Sequence, residues 1–229
     1  MADLGNILQT ASVWVLPVLL AITLHEAAHG WAAWRLGDNT AYMLGRVSIN
    51  PFRHIDLVGT IILPGILIFT QAPFLFGWAK PVPVRFGALP NPRRDMMLIA
   101  AAGPAANLIL AFLAALLLHT VKFMPPDVGK WLYFNLINCL WLNLVLAVFN
   151  MLPLPPLDGG RILVSLLPEP MSSWLAGLER FGLLILVGLL IIAPMLARET
   201  GGDFNIFGIL VGEPVAFLRE WILVLTGLK

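Results

Sequence analysis

The feature that most constrains this sequence is a group of three ionisable side chains, His25, Glu26 and His29, near the end of an apolar run that begins at Ile7. An ionisable side chain at the centre of a membrane helix costs about 2.5–3.5 kcal/mol on insertion scales. Three of them close together are tolerated only beside an aqueous cavity or a bound cation. A fold for this chain must therefore supply one of the two around residues 25–29.

The spacing of these residues suits a helix that binds a metal. Residues four apart lie only about 40° apart around the helix axis and about 6 Å along it, so His25 and His29 present two imidazoles from one face. Glu26 lies about 100° from His25 and flanks this pair. This is the H-E-x-x-H pattern of zinc peptidases, in which the glutamate is the general base. The alternative, a pair of structural histidines, is disfavoured by the apolar surroundings.

Most of the chain has the composition of a protein solvated by lipid. Of its 229 residues, 59% are apolar and 12% are charged, against about 45–50% and about 25% in soluble domains. The mean hydropathy is +0.87. The net charge of +1 argues against a nucleic-acid partner, because no basic stripe is available to neutralise phosphates. The single cysteine, Cys139, excludes an internal disulfide and a thiolate metal site.

The fold class predicted from these properties is an all-α polytopic membrane protein with about four to six transmembrane helices. The clearest spans are expected over residues 7–36, 93–118 and 131–151. Further apolar helices are expected over 174–197 and 204–228, the second of which is either a poor span or an interfacial helix.

The segment between the first two clear spans is irregular. Residues 57–76 are apolar but interrupted by glycines and prolines, so we expect a re-entrant or extended segment there rather than a simple span. The alternation of residues 42–49 predicts a strand. Prolines two apart force residues 77–84 into an extended loop.

A catalytic zinc usually has three protein ligands and one open position, so the two histidines need a partner. Asp158 is the best candidate, because it is the only acidic residue of 150–159. Prolines end the helix in that stretch and free the chain to approach a metal from outside helical geometry. An aspartate here is also expected to cap the helix that starts at Gly159, and both roles remain open.

The two motifs together resemble those of the site-2 protease family of intramembrane zinc metalloproteases. The family has H-E-x-x-H on one helix and N-x-x-P-x-P-x-x-D-G on another, and residues 25–29 and 150–159 match both without a gap. The resemblance extends to Gly-Pro-Ala-Ala-Asn at 103–107 and to the loop at 77–84. It covers about residues 10–165. We therefore expect one membrane protease domain over 1–229, with its catalytic core in that range and C-terminal helices over 174–228.

The resemblance implies zinc bound by His25, His29 and Asp158, with Glu26 as the base. The candidates for substrate binding are Asn150, Asn107, Pro153 and Pro155. The implied activity is hydrolysis of peptide bonds within or near the transmembrane segments of membrane proteins, so the expected partners are such proteins or peptides and the lipid bilayer. The sequence contains neither the PDZ module nor the nucleotide-binding regulatory module of many members, so we expect a short form.

Two alternatives come from other classes of protein. A membrane metal-binding or transport protein would bind an ion with the same ligands without hydrolysis, and an inactive scaffold would retain only the fold. Glu26 argues against both alternatives, because a transporter has no need of a carboxylate beside the histidines and an inactive relative is expected to have lost it.

The distance between the motifs along the chain constrains the topology. His29 lies near the end of the first span, and Asp158 lies just past the end of the 131–151 span. Because both residues must reach one metal, the two spans point the same way, and an odd number of crossings must separate them. The 94–118 helix is one crossing, so 57–76 must dip in and return. The expected protein is a multi-pass protein of the cell membrane. The positive-inside rule then places its N-terminus outside the cell and its zinc site toward the cytoplasm. The basic residues behind this inference are Arg46, Arg53, Lys80, Arg85, Arg93 and Arg94.

Overall fold

The computed structural model describes residues 4–70, 77–189 and 206–229, and over these ranges it contains helices and no strand. The helices are α1 (Leu4–Arg35), α2 (Thr40–Met43), α3 (Leu63–Phe69), α4 (Pro92–Leu118), α5 (Pro126–Asn150), α6 (Asp158–Leu166), α7 (Met171–Gly177), α8 (Gly182–Val187) and α9 (Glu213–Leu225). Short π-helical turns at Leu57–Ile62 and Gly208–Gly212 precede α3 and α9. The prediction of an all-α membrane protein is confirmed.

Three of the described helices, α1, α4 and α5, are long and apolar enough to cross a membrane. They correspond to the three clear spans expected from the sequence, and α5 begins earlier than predicted, at Pro126. A proline at the first position of a helix costs no hydrogen bond, which explains this earlier start. The additional spans expected over 174–197 and 204–228 lie partly outside the described residues.

Helices α1 and α5 run parallel. Pro17 has no N–H, so it leaves the carbonyl of Val13 free within α1. Asn138 of α5 donates its Nδ2–H to that carbonyl at 2.9 Å. Seven residues before Asn138, Trp131 donates to Oγ of Ser12, the residue before Val13, at 3.1 Å. The residue numbers of the contacting positions therefore increase in the same direction along both helices, so α1 and α5 point the same way.

Helix α4 runs antiparallel to α1. Asn107 donates to the carbonyl of Ala21 at 3.2 Å, whereas the carbonyl of Ile99 accepts a hydrogen bond from His29 at 2.7 Å. The residue numbers of the contacting positions on α4 thus decrease as those on α1 increase. One crossing in the opposite direction separates the parallel pair, as the topological argument requires.

The chain after residue 56 comes back at Trp78 to the residues near its own start, Gly59 and Thr60. Asp56 begins this segment by accepting hydrogen bonds from the N–H groups of Val58 and Gly59 at 3.0 and 2.7 Å. Nineteen residues after Gly59, the N–H of Trp78 donates back to the carbonyl of Gly59 at 3.1 Å, and Thr60 donates to the carbonyl of Trp78 at 2.8 Å. The two ends of the segment therefore meet, as the expected re-entrant segment requires, and residues 77–85 form the expected loop without regular secondary structure.

The strand predicted over residues 42–49 is wrong. Asp38 accepts a hydrogen bond from the N–H of Thr40 and starts the short helix α2. Gly45, with φ of 66°, ends it. The N–H groups of Gly45 and Arg46 bind the carbonyls of Tyr42 and Ala41 at 2.9 Å each, which is a Schellman motif. Local capping therefore outweighs the alternating side-chain pattern.

The continuous helix predicted from Trp174 is also wrong. Helix α7 ends at Gly177, a 3-10 turn occupies Glu179–Phe181, and α8 restarts at Gly182. A side chain at Gly182 would collide with the ring of Pro156, so the restart is packed directly on the chain before α6. Residues 190–197 of the predicted helix lie outside the described residues.

The C-terminal helix packs on α4 and α5. Val211, Val215 and Ile222 are buried in one apolar cluster with alanines of α4 and leucines of α5. The carbonyl of Thr226 accepts a hydrogen bond from His119 at 2.7 Å. The end of α9 therefore lies at the same end of the bundle as the end of α4.

Single cysteines at Ser48 and Ala88, in a chain in which Cys139 is replaced, test the return of the 57–78 segment. An impermeant thiol reagent is expected to label both from one side of the membrane, because the chain comes back to where it left. A cysteine at Phe123, which is 75% exposed between α4 and α5, is the control and is expected to be labelled from the other side. Labelling of Ser48 and Ala88 from opposite sides would show a simple span instead.

Candidate active site

The structure brings together the three ligands expected from the sequence. Nε2 of His25 lies 3.1 Å from Nε2 of His29, and these atoms lie 3.2 and 3.4 Å from Oδ2 of Asp158. The two rings are nearly perpendicular, at 87°. All three residues are buried, with 6–8% of their surface exposed. Three atoms that suit one metal ion therefore converge at a single point.

The hydrogen bonds behind His25 determine which of its nitrogens carries the proton. The carbonyl of Cys139 can only accept, so Asn143 directs Nδ2 toward it, at 2.8 Å. Oδ1 of Asn143 then accepts from Nδ2 of Asn107 at 2.7 Å, and Oδ1 of Asn107 lies 2.6 Å from Nδ1 of His25. Nδ1 must therefore carry the proton, and Nε2 presents a lone pair to the site.

His29 is oriented in the same way, because its Nδ1–H donates to the carbonyl of Ile99 at 2.7 Å. Its Nε2 also presents a lone pair. Oδ2 of Asp158 is buried and has no hydrogen-bond partner. Two lone pairs and an unsatisfied carboxylate oxygen within 3.4 Å of one another would repel each other, so this donor set fits a bound cation.

Asp158 reaches the histidines because the chain doubles back after α5. Helix α5 ends at Asn150, and α6 begins at Asp158 itself, so the capping position belongs to Leu157. A side chain at Gly159 would collide with the carbonyl of Met151, and one at Gly160 with the backbone of Pro155. Only glycines at these positions let α6 start directly against the turn. Of the two roles left open for Asp158, the N-cap is excluded.

A glycine also lets α4 approach the histidines. A Cβ atom at Gly103 would collide with Nε2 of His29 and lie 2.6 Å from Cε1 of His25. The small residues noted near the start of this helix thus do more than allow close helix packing. Gly103 leaves the room that the two imidazoles occupy.

Glu26 lines the same cavity as the ligands, which has a volume of about 510 Å³. Its Oε2 accepts a hydrogen bond from the N–H of Val82 at 3.1 Å. The 77–85 loop therefore holds the carboxylate in the ligand cavity, and among the described residues the convergent ligand atoms come from His25, His29 and Asp158 and not from Glu26.

The substrate-binding candidates occupy different places. Asn150 lines the ligand cavity, and its Nδ2–H donates to the carbonyl of Leu146 at 3.0 Å. Pro153 is exposed, and Pro155 is buried and lines a neighbouring, smaller cavity. Asn107 is fully buried behind His25. The structure therefore brings Asn150 to the cavity and places Asn107 where it can only support a ligand.

Comparisons with known proteins agree with this geometry. The model of peptidase family M50 matches residues 126–192. YwhC of Bacillus subtilis (strain 168), named as a candidate zinc metalloprotease, is 36% identical over 187 residues, which are 79% of this chain and 80% of YwhC. The chain belongs to the site-2 protease family.

Rip2 of Mycolicibacterium smegmatis, also named as a candidate zinc metalloprotease, is 32% identical over 202 residues, which are 86% of this chain and 74% of Rip2. Rip2 of Mycobacterium tuberculosis (strain H37Rv) is 31% identical over 189 residues, which are 81% of this chain and 70% of that protein. No solved structure matches the chain. As a site-2 protease family member, the protein is a zinc metalloprotease, and Zn²⁺ is its cofactor.

Sequence reasoning missed the role of Asn143. In this site-2 protease family member it lies behind the metal ligands. It is fully buried and fixes the amide of Asn107, which in turn orients His25. One signal was present in the sequence. Asn143 precedes Asn150 by seven residues, which is about two helical turns, so both lie on the face of α5 that turns toward the site.

Sequence reasoning also missed how the 77–85 loop is attached. The N–H of Lys80 donates to the carbonyl of His54 at 2.9 Å, and the guanidinium of Arg46 donates to the carbonyl of Lys80. Burial and the neighbouring Arg46 lower the pKa of His54, whose Nε2–H donates to Ser48 at 2.9 Å. His54 is therefore a neutral support for the loop that holds Glu26.

Replacing Asn143 by Leu is expected to weaken zinc binding by about 10–100-fold, the usual cost of removing a group that orients a ligand. Without its acceptor, the amide of Asn107 is free to turn and no longer fixes His25. The measurement is competition for zinc with a chromophoric chelator. Asn138→Leu is the control, because Asn138 likewise joins α5 to another helix, α1, but contacts neither a ligand nor Asn107. Unchanged zinc affinity in Asn143→Leu, or equal losses in both variants, would contradict the assignment.

Proposed function

We propose that this zinc metalloprotease is an intramembrane endopeptidase that cleaves membrane proteins within or near their transmembrane segments. The observation that carries the proposal is the position of the ligands. His25 and His29 belong to α1, within a candidate span that covers Leu8–Arg35. A peptide bond must therefore enter the helical bundle to reach the site, which selects substrates that already lie in or beside the bilayer.

The residues have distinct proposed roles. His25, His29 and Asp158 hold the zinc ion, which when bound supplies a Lewis acid that polarises a peptide carbonyl and lowers the pKa of water toward neutrality. Glu26 takes the proton from the attacking water and gives it to the leaving amine. The N–H of Val82 binds Oε2 of Glu26, which leaves Oε1 for proton transfer.

Water and the substrate meet these groups in the cavity of about 510 Å³. A substrate helix hides its carbonyls in internal hydrogen bonds, so the segment to be cut must unwind before it binds. Asn150, at the end of α5, is proposed to bind the backbone of the unwound segment, because it lines the same cavity as Asp158.

The site is proposed to face the cytoplasm. The end of the bundle that carries the site also carries most of the basic side chains, as the positive-inside rule expects for a cytoplasmic face. These are Arg35, Arg46, Arg53, Lys80, Arg85, Arg93, Arg94 and Arg161, against Lys122, Lys130 and Lys229 at the other end. The N-terminus then lies outside.

Glu26→Gln is expected to retain zinc and to lower cleavage of a membrane-spanning reporter by at least about 10²-fold, since all ligands remain and the proton acceptor is lost. Zinc content and cleavage are measured on the same purified samples. Asp158→Ala is the matched comparison, in which zinc content and cleavage are expected to fall together. Full cleavage by Glu26→Gln would remove Glu26 from the mechanism, and wild-type protein that binds zinc without cleaving any reporter would favour a metal-binding or transport function.

A further inference from the structure

A second cavity, of about 200 Å³, adjoins the ligand cavity. The two have lining residues in common, which lie where one cavity meets the other: Val82, Val84, Met96, Arg161 and Glu179. Val82 is also the residue whose N–H binds Glu26, at 3.1 Å. The second cavity therefore opens beside the base and not at a remote surface.

The wall formed by the 77–85 loop and the residue after it is apolar. Val82, Val84 and Phe86 line this cavity and are two apart, and Arg85 between them has extended backbone geometry. An extended chain directs alternate side chains to one side, which explains why these three face the cavity together.

The rest of the apolar lining comes from other elements. It consists of Met96 of α4, Pro155 before α6, Val164 of α6 and Ala176 of α7. The polar side chains of the cavity already have partners. Ser165 donates to the carbonyl of Arg161 at 2.9 Å, and Arg161 pairs with Glu179 at 3.3 Å at the junction of the two cavities.

The size and lining together define what the cavity can accept. An apolar cavity of about 150 Å³ is large enough to bind benzene, so about 200 Å³ accommodates an aromatic ring or a branched aliphatic side chain. A charged side chain would lose its hydration there without finding a free partner. The cavity therefore discriminates by apolar volume.

We propose that this second cavity is a specificity subsite that receives one large apolar side chain of the substrate, such as Leu, Met or Phe, next to the scissile bond. The proposal rests on the proposed function, because it concerns a peptide bound at the same site. The position next to the scissile bond follows from Val82, which lines the subsite with its side chain and binds Glu26 with its backbone.

The experiment uses the full-length zinc protein and a set of membrane-spanning reporters. Each reporter carries Ala, Leu or Phe at one of the positions that flank the cleavage site, and kcat/KM is measured for each. At one position, wild-type protein is expected to prefer Leu or Phe to Ala by about 10–100-fold, the range that a few methylene groups produce in an apolar pocket.

Two variants change the volume of the subsite in opposite directions. Ala176→Trp fills it from an exposed position of α7, so the preference for Leu and Phe over Ala at that position is expected to fall close to one. Val164→Ala enlarges it and is expected to shift the preference from Leu toward Phe. Met171→Trp introduces the same side chain at an exposed position of α7 that does not line the cavity, and it is expected to keep the wild-type preference.

The outcomes separate this proposal from the proposed function. Absence of cleavage of every reporter by wild-type protein would contradict the proposed function. Cleavage without a preference at any flanking position, as expected if a lipid chain fills the cavity, would overturn the subsite alone. So would a preference that Ala176→Trp and Met171→Trp reduce equally, because that result would reflect packing of α7.

Discussion

The structure depends on the convergence of two imidazole lone pairs and one carboxylate inside an apolar bundle. Hydrogen bonds from Nδ1 of both histidines leave their Nε2 atoms without protons, 3.1 Å apart. The carboxylate oxygen of Asp158 lies beside them with no other partner. Buried groups of this kind are costly unless a cation compensates them. The zinc ion of this site-2 protease family member supplies that compensation.

The surrounding helices are arranged to preserve this group. Gly103 leaves space for the imidazoles between α1 and α4, and Gly159 lets α6 begin close to the end of α5. Pro17 frees a carbonyl of α1 that Asn138 of α5 binds, which fixes the parallel pair. Each of these features fixes how two of the helices α1, α4, α5 and α6 pack against each other.

The sequence alone was enough for the three clear spans, for the grouping of His25, His29 and Asp158, and for the return of the chain after residue 56. The polar residues of the zinc motif lie in apolar surroundings that admit few explanations, and Asp158 was the only acidic residue of 150–159, where prolines end a helix. The return of the chain at Trp78 followed from requiring two distant motifs to reach one metal. These inferences succeed because strong physical costs, of buried charge and of unpaired backbone in lipid, leave few solutions.

What the sequence did not provide depends on tertiary contacts or on competition between local effects. The strand over 42–49 failed because a Schellman motif at Gly45 outweighed an alternating pattern. Asn143 went unrecognised because its role is to orient Asn107, a relation between two helices. The pairing of Val82 with Glu26 and the second cavity likewise require the 77–85 loop to be placed against α1, α4 and α6.

The most direct test of the central claim is zinc K-edge X-ray absorption of the purified protein. The account predicts a first shell of nitrogen and oxygen at about 2.0–2.2 Å, with scattering from two imidazoles and no sulfur. A sulfur ligand at about 2.3 Å, which only Cys139 or a methionine of the chain could supply, or a shell with no imidazole scattering, would contradict the assignment of His25, His29 and Asp158.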